Sequence, residues 1–559
     1  MSRVCGPLLL ALAAMAQSQK LPLAMPPTGQ DIPTGHGVIE GTVVDAATHE
    51  PLKKAKVTIG VPRQTPPTAF TDASGRFVFR ELPAGGYWLS VSRSGYNQAQ
   101  DAFGADSNLQ ISLGADETKK GVEIALVPDG TISGRVLNED GLPVRNCSVT
   151  AVQPGYEQGR RVLRRVADGT GSDDKGGYRV SGLAPGRYYL FVHCRAELPA
   201  AHPLLPRGDP RTPHENYVPQ FYGGGLDPAT ATRLAVAAGA GLDGIDFEIR
   251  RTRAFALRGS ITTADPEGFP DNVNVILYPA NPLLRNVMQF GAASTNTHSR
   301  TFQIRSVVPG SYRLIAFSRS EGHSAYAERM VEVGAAPPGP IDLALTAGTD
   351  LKGSVQFDAE DHPPQYENAQ IVLVARERSG YMPQPRGEIN KDGTFTLASV
   401  VPGHWRLMLR AFGYVKSLSL AGQQLSPYDF QIPPGATGPL HVLMGLKMAE
   451  ISVTVTGLSG RGQASVLVYP EDLDRLGAGL EQVTMGSGQL GIGNLPPGRY
   501  RLLATDAPNL WNLEQRPDLL QAIEGSTQAI DVPEGGRVSA TVELVPREEL
   551  LRVLAEKEQ

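Results

Sequence analysis

Cysteine is almost missing from this chain, with three in 559 residues. A disulfide-dense mini-domain scaffold and a cysteine-ligated zinc protein are therefore excluded. Histidine is sparse as well: ten residues, scattered singly, with no His-x-x-Glu or His-Glu-x-x-His anywhere. A catalytic zinc site needs closely spaced ligands, and the nearest grouping, His193, His202 and His214, is spread over a proline-rich stretch and reads as loop and strand polarity. Gly-x-Ser-x-Gly and Gly-x-x-x-x-Gly-Lys are absent too, so acyl-transfer and nucleotide chemistry lack their motifs. No catalytic residue, metal ligand or cofactor is expected. Excess positive charge is also lacking, since the formal net charge is −5, which disfavours nucleic acid as a partner. Beyond the N-terminus no run of about 18 apolar residues occurs, so no membrane-spanning helix is expected.

Turn residues are abundant: 62 Gly and 45 Pro. They punctuate a pattern that returns five times, an alternating strand, a Leu or Val, a Pro-Gly turn and an aromatic-led strand. The copies run from Phe77-Val78-Phe79 to Pro83-Ala84-Gly85-Gly86-Tyr87, and from Tyr178-Arg179-Val180 to Pro185-Gly186-Arg187-Tyr188. Three more run from Phe302 to Tyr312, from Phe395 to Trp405, and from Leu490 to Tyr500. Each spacing suits one small β-sandwich. Thr71-Asp72-Ala73-Ser74-Gly75 reads as a turn opened by Asp side-chain bonding, as do Asp174 and Asp392, and Gly85 or Gly86 is expected in the left-handed conformation. Four of five opening strands carry a mid-strand glycine, Gly41, Gly134, Gly259 and Gly353, which signals either a bulge or a close backbone crossing.

The N-terminus has Arg3, an apolar core around Leu8–Leu12, and Ala14-Met15-Ala16, the layout of a secretory signal peptide cut near Ala16. The expected organisation is a signal peptide at 1–16, a flexible leader at 17–36, and β-sandwiches at 37–128, 129–250, 251–346, 347–446 and 447–546. A proline-rich insertion occupies 195–225 of the second, where neither helix nor central strand fits. The tail, 547–559, has helical spacing and either docks or frays. The fold expected is all-β, a tandem array of about five sandwiches strung as a rod. Its place is secreted or periplasmic, at the cell envelope. Cys147 and Cys194 both fall on inward positions of the second repeat, so export points to a disulfide, the alternative being two buried thiols. Arg160, Arg161, Arg164 and Arg165 form a basic cluster that reads as a solvated face or an anion site.

The strand-Gly-strand opener, the Asp-x-x-Gly-x-Phe turn, the Leu-Pro-x-Gly-x-Tyr corner and Ser92-Arg93-Ser94-Gly95-Tyr96 together resemble the carboxypeptidase regulatory-like domain. So do Tyr217-Val218-Pro219-Gln220-Phe221-Tyr222-Gly223-Gly224 and Gly244-Ile245-Asp246-Phe247, which look like segments of multi-repeat bacterial members. The resemblance implies an Ig-like, transthyretin-like sandwich, often grouped with carbohydrate-binding-like folds. It also implies an accessory role without catalytic residues to carry over.

Exposed rings are then the one hint of binding. Aligning the corners puts Tyr87, Tyr188, Tyr312, Trp405 and Tyr500 inward, and the next position outward: Trp88, Tyr189, Arg313, Arg406 and Arg501. Trp88 is either covered by a neighbour or part of a binding face. Tyr189, the Tyr217, Phe221 and Tyr222 patch, and Trp511 complete the candidates. The expected partner is a polysaccharide or another envelope protein. The function expected is non-enzymatic binding or scaffolding, or else an accessory docking role beside an envelope hydrolase or uptake system.

Overall fold

The computed structural model describes residues 36–558 apart from 61–65, 195–213, 359–368, 377–383, 459–463, 476–480 and several interruptions of one to three residues. The signal peptide, most of the leader and much of the insertion lie outside the described residues. The chain is all-β, a tandem array in which one topology recurs five times. In the first unit the opening strand, Gly37–Asp45, pairs antiparallel with Arg76–Leu82 and parallel with the closing strand, Thr118–Pro128. The facing sheet pairs Lys56–Gly60 with Gly85–Ser92. Period-two alternation turns Ile39, Val43, Val57, Ile59, Phe77, Tyr87 and Leu89 into the space between the sheets, where all are buried. The other four units repeat both pairings and each encloses its own core.

Three local devices recur along the array, the first and third in all five units and the second in four. First, each opening strand meets its antiparallel partner through a bulge, and a residue with positive φ sits there: Glu81 (57°), Gly182 (75°), Ser306 (62°), Ser399 (53°) and Asn494 (59°). The left-handed residue expected at Gly85 or Gly86 is therefore found earlier, because the chain turns at the bulge rather than at the Pro-Gly corner. Second, the mid-strand glycines mark close crossings. A Cβ on Gly41 would lie 2.2 Å from the Val122 carbonyl oxygen and 2.7 Å from the Phe77 ring, and one on Gly353 would lie 2.2 Å from the Leu440 oxygen and 2.4 Å from Phe395. Third, the corner aromatic ties down its own turn. The hydroxyls of Tyr87, Tyr188, Tyr312 and Tyr500 donate to the carbonyl four residues earlier at 2.6–2.7 Å, and Trp405 does so through Nε1 at 3.2 Å.

The Asp turn holds as expected at Asp72, which accepts backbone N–H bonds, whereas in the fourth unit Asn390 opens the turn and Asp392, inside it, accepts the Thr394 N–H. In the second unit Asp173, not Asp174, opens the turn, because Gly177 must reach back to it across Gly176 at φ 75°. The tail docks. Arg547–Glu558 is a helix whose Leu550 and Leu554 pack on Leu467, Tyr469 and Leu503, the outer face of the fifth unit's sheet. Its first N–H donates to the Asp506 carboxylate at 2.6 Å.

The array is not a rod. Beyond Val152 the hairpin Cys147–Glu157/Arg160–Asp168 no longer pairs with Gly186–Cys194 and continues as a two-stranded arm. Arg160 on that arm pairs with Asp429 of the fourth unit at 3.4 Å, and Tyr156 lies within reach of the charges on Arg516 and Asp518 of the fifth. After residue 213 the insertion supplies His214–Tyr217, which pairs with Arg251–Ala254 and so adds an edge strand to the third unit. The second unit thus touches the third and the fourth.

Candidate functional site

The outward residue after each corner aromatic sits on the same strand face in all five units, so its surroundings compare directly. Tyr189 is only 6% exposed: with Val152, Leu163, Phe191 and Phe221 it packs against Leu284, Val287 and Met288 of the third unit. Its hydroxyl accepts from Arg233 Nε at 2.6 Å while the same guanidinium stacks on its ring. Arg313 pairs with Glu328 on the neighbouring strand. Arg406 donates to the Asp474 backbone carbonyl of the fifth unit and stacks on Tyr428. Arg501 bridges Glu471 and Glu524. Trp88 alone among the five lacks such cover from the described residues, and remains 43% exposed.

The sheet around Trp88 explains its pose. Trp88 lies opposite Gly60, and its ring atom Cε3 comes within 3.6 Å of where a Gly60 side chain would begin. The glycine leaves a shallow seat for the indole. Two strands away Phe70, 67% exposed, occupies the same face, because Lys56 lies opposite both Phe70 and Ser92. Between the rings run outward-facing Thr68, Thr58, Ser90 and Ser92, with Lys56 the one charge on these rows. From strand spacing and rise, the rings stand about 16 Å apart along the diagonal. The result is a flat hydroxyl-bearing platform with an aromatic at each end. Phe70 escaped notice in the sequence, though alternation past Ala69, which packs on the core, points it outward.

The remaining candidates sit differently. Phe221 is fully buried, edge-on to Phe191 at 5.1 Å and Tyr189 at 6.1 Å, and so presents no face to a ligand. Tyr222 stands edge-on to Phe247 at 5.6 Å, and Tyr217 packs on the second unit's core. The expected surface patch is therefore largely a packing device, because the insertion folds back onto its own sheet and onto the third unit. Trp511 lies outside the described residues. Cys147 and Cys194 face each other across adjacent strands and are joined as a disulfide. Of the basic cluster, Arg160 is held by Asp429 and Arg165 by Asp168 at 2.6 Å.

Electrostatics give no reactive centre among the described residues. No group of three or more His, Cys, Asp or Glu side chains there could hold a metal ion. Burial raises the structural phenols Tyr87, Tyr188 and Tyr312, and pushes Tyr500 up to about 12. No helix among the described residues is long and apolar enough to cross a membrane.

No curated protein matches the chain. Among solved structures it is similar to the TIE protein of Bacillus anthracis, at 10% identity, over 72% of this chain and 68% of that one, with a TM-score of 0.15. It is similar also to GBS52, the minor pilin of Streptococcus agalactiae, at 12% identity over 39% and 96% of the two chains, TM-score 0.21. The shaft pilin SpaA of Lactobacillus rhamnosus GG matches at 13% identity over 40% and 98%, TM-score 0.18. At such TM-scores these likenesses carry no further argument. Residues 38–126 match the family model of the carboxypeptidase regulatory-like domain, and over that first unit the chain resembles proteins carrying that domain.

Proposed function

We propose that this chain is an exported, non-enzymatic scaffold of the cell envelope whose first unit binds polysaccharide on the Trp88–Phe70 face. The observation that carries the reading is the contrast at the outward corner position. Tyr189, Arg313, Arg406 and Arg501 are each engaged by a neighbouring strand or unit, whereas Trp88 is 43% exposed, has no such partner among the described residues, and shares its face with a second exposed ring. Sugar rings present apolar C–H faces and a rim of hydroxyls. Indole and phenyl rings meet the first, and a row of Thr and Ser side chains meets the second. Export follows from the signal-peptide layout at Arg3–Ala16 and suits the disulfide. The remaining units support and orient this face.

An accessory docking role is the second reading. It draws on exposed Leu142, Met330 and Met408, at 59%, 56% and 49%, but these stand on three different units rather than in one patch. A glycan array probed with the mature chain and with a Phe70→Ala/Trp88→Ala variant tests the proposal. Saturable binding lost in the variant supports it. Absence of binding to every glycan, with another envelope protein co-purifying, moves the reading to the docking role.

A further inference from the structure

A second place for a ligand lies on the third unit, far along the chain from Trp88. Thr301–Val307, Arg251–Thr263 and Ile341–Ala347 run side by side there, so that Thr301 lies opposite Ser260, Ser260 opposite Asp342, and Gln303 opposite Arg258. These five residues and Pro340 line an open cleft of about 490 Å³, within the range of small-molecule sites. The Ser260 hydroxyl donates to Asp342 Oδ1. The Gln303 amide nitrogen Nε2 is buried and has no hydrogen-bond partner among the described residues. A buried donor without an acceptor is costly, and native structures seldom leave one except where something else supplies the acceptor. In the first unit the equivalent rows are filled by their own charges: Glu40 bridges Arg76 and Lys120.

The lining selects the chemistry. It holds one guanidinium and one carboxylate, so an ion of either sign would meet a like charge. A hydroxyl both donates and accepts, and adjacent hydroxyls on one ring match a surface that offers an amide N–H, a carboxylate and two further hydroxyls side by side. Pro340 supplies an apolar wall for the ring itself. We infer that the cleft formed by Gln303, Arg258, Ser260 and Asp342 binds a neutral sugar, making the chain a carrier of two separate carbohydrate sites on its first and third units. This rests on the reading of the chain as a polysaccharide binder, yet the two sites fail independently, and a polymer that engaged both would gain from effective concentration.

Saturation-transfer NMR tests this on the full mature chain, with glucose, galactose, mannose, xylose and N-acetylglucosamine as probes. Four proteins are compared: wild type, Phe70→Ala/Trp88→Ala, Gln303→Ala, and all three changes together. Matching circular dichroism melting curves establish that each is folded. The expected result is a signal that survives Phe70→Ala/Trp88→Ala and falls at least about fivefold when Gln303→Ala is added, a change of about 1 kcal/mol. A signal abolished by Phe70→Ala/Trp88→Ala alone overturns the third-unit site and leaves the first-unit reading standing. A signal untouched by Phe70→Ala/Trp88→Ala but lost in Gln303→Ala does the reverse, overturning the first-unit face alone. Silence from wild type overturns both, as does a signal that no variant alters.

Discussion

Gly353 and Phe395 lie directly opposite each other on adjacent antiparallel strands, and the Phe395 ring occupies the space a Gly353 side chain would need. The same pairing recurs as Gly41 with Phe77, Gly134 with Tyr178 and Gly259 with Phe302. The fifth unit replaces it by Val453 with Leu490. An aromatic lying across a strand glycine and a β-branched residue beside a smaller aliphatic are thus two solutions to one packing problem. Gly353→Val is expected to destabilise the fourth unit by about 3 kcal/mol through overpacking and the clash with the Leu440 carbonyl. Adding Phe395→Leu should recover about 1 kcal/mol of it, the carbonyl clash remaining. Calorimetry of the single and double variants measures the coupling, and strict additivity would contradict this account.

The left-handed bulge residue predicts opposite outcomes in neighbouring units. Glu81 holds φ at 57° and is exposed, so Glu81→Gly removes an unfavourable conformation, offset in part by the entropy of an added glycine. The expected net gain is about 0.5 kcal/mol. Gly182→Ala imposes the penalty instead and is expected to cost about 1 kcal/mol. Thermal unfolding of both variants decides this.

The corner phenols predict alkaline instability. Burial raises Tyr87, Tyr188, Tyr312 and Tyr500 above the unfolded value of about 10. A raised folded pKa means the folded state holds its proton more tightly. The stabilisation is therefore complete below about pH 10 and is lost as pH climbs through the folded values, Tyr500 at about 12. Tyrosinate absorbance should rise together with loss of the circular dichroism signal. Full ionisation of these phenols in a still-folded chain would refute it.

The arm of the second unit is held to the fourth by charge, whereas its seam with the third is apolar. Arg160→Glu sets two like charges at a contact now 3.4 Å long. Small-angle scattering is expected to give a larger radius of gyration, with the calorimetric transitions of the sandwiches unchanged. An unaltered radius would show that the ion pair does not close the arm.

How much of this was legible in the sequence follows from the range of the forces involved. Alternation and turn chemistry act within a hairpin. The strands, the inward Tyr87 and Trp405 and the inward cysteines could therefore be read directly, whereas Gly41 could be narrowed only to a bulge or a close crossing. The bulge at Glu81 could not, since a glutamate carries no signal for positive φ and only the recurrence at Ser306, Ser399 and Asn494 exposes it. Cover depends on other units. Trp88 and Tyr189 stand at the same position with similar side chains, and nothing local distinguishes the bare ring from the one buried under Leu284 and Met288. The contact of the second unit's arm with the fourth unit, between Arg160 and Asp429, 269 residues apart, was hidden for the same reason.

The most direct test of the central claim is titration of the mature chain with whichever polysaccharide fragment scores highest on the array, repeated for Phe70→Ala, Trp88→Ala and Trp405→Phe. Each exposed ring is expected to contribute about 1 kcal/mol, so that each alanine variant binds about fivefold more weakly. Trp405, wholly buried beneath the fourth unit's corner, should leave affinity unchanged. Equal affinity for wild type and both alanine variants would contradict the assignment of the Trp88–Phe70 face as the ligand surface.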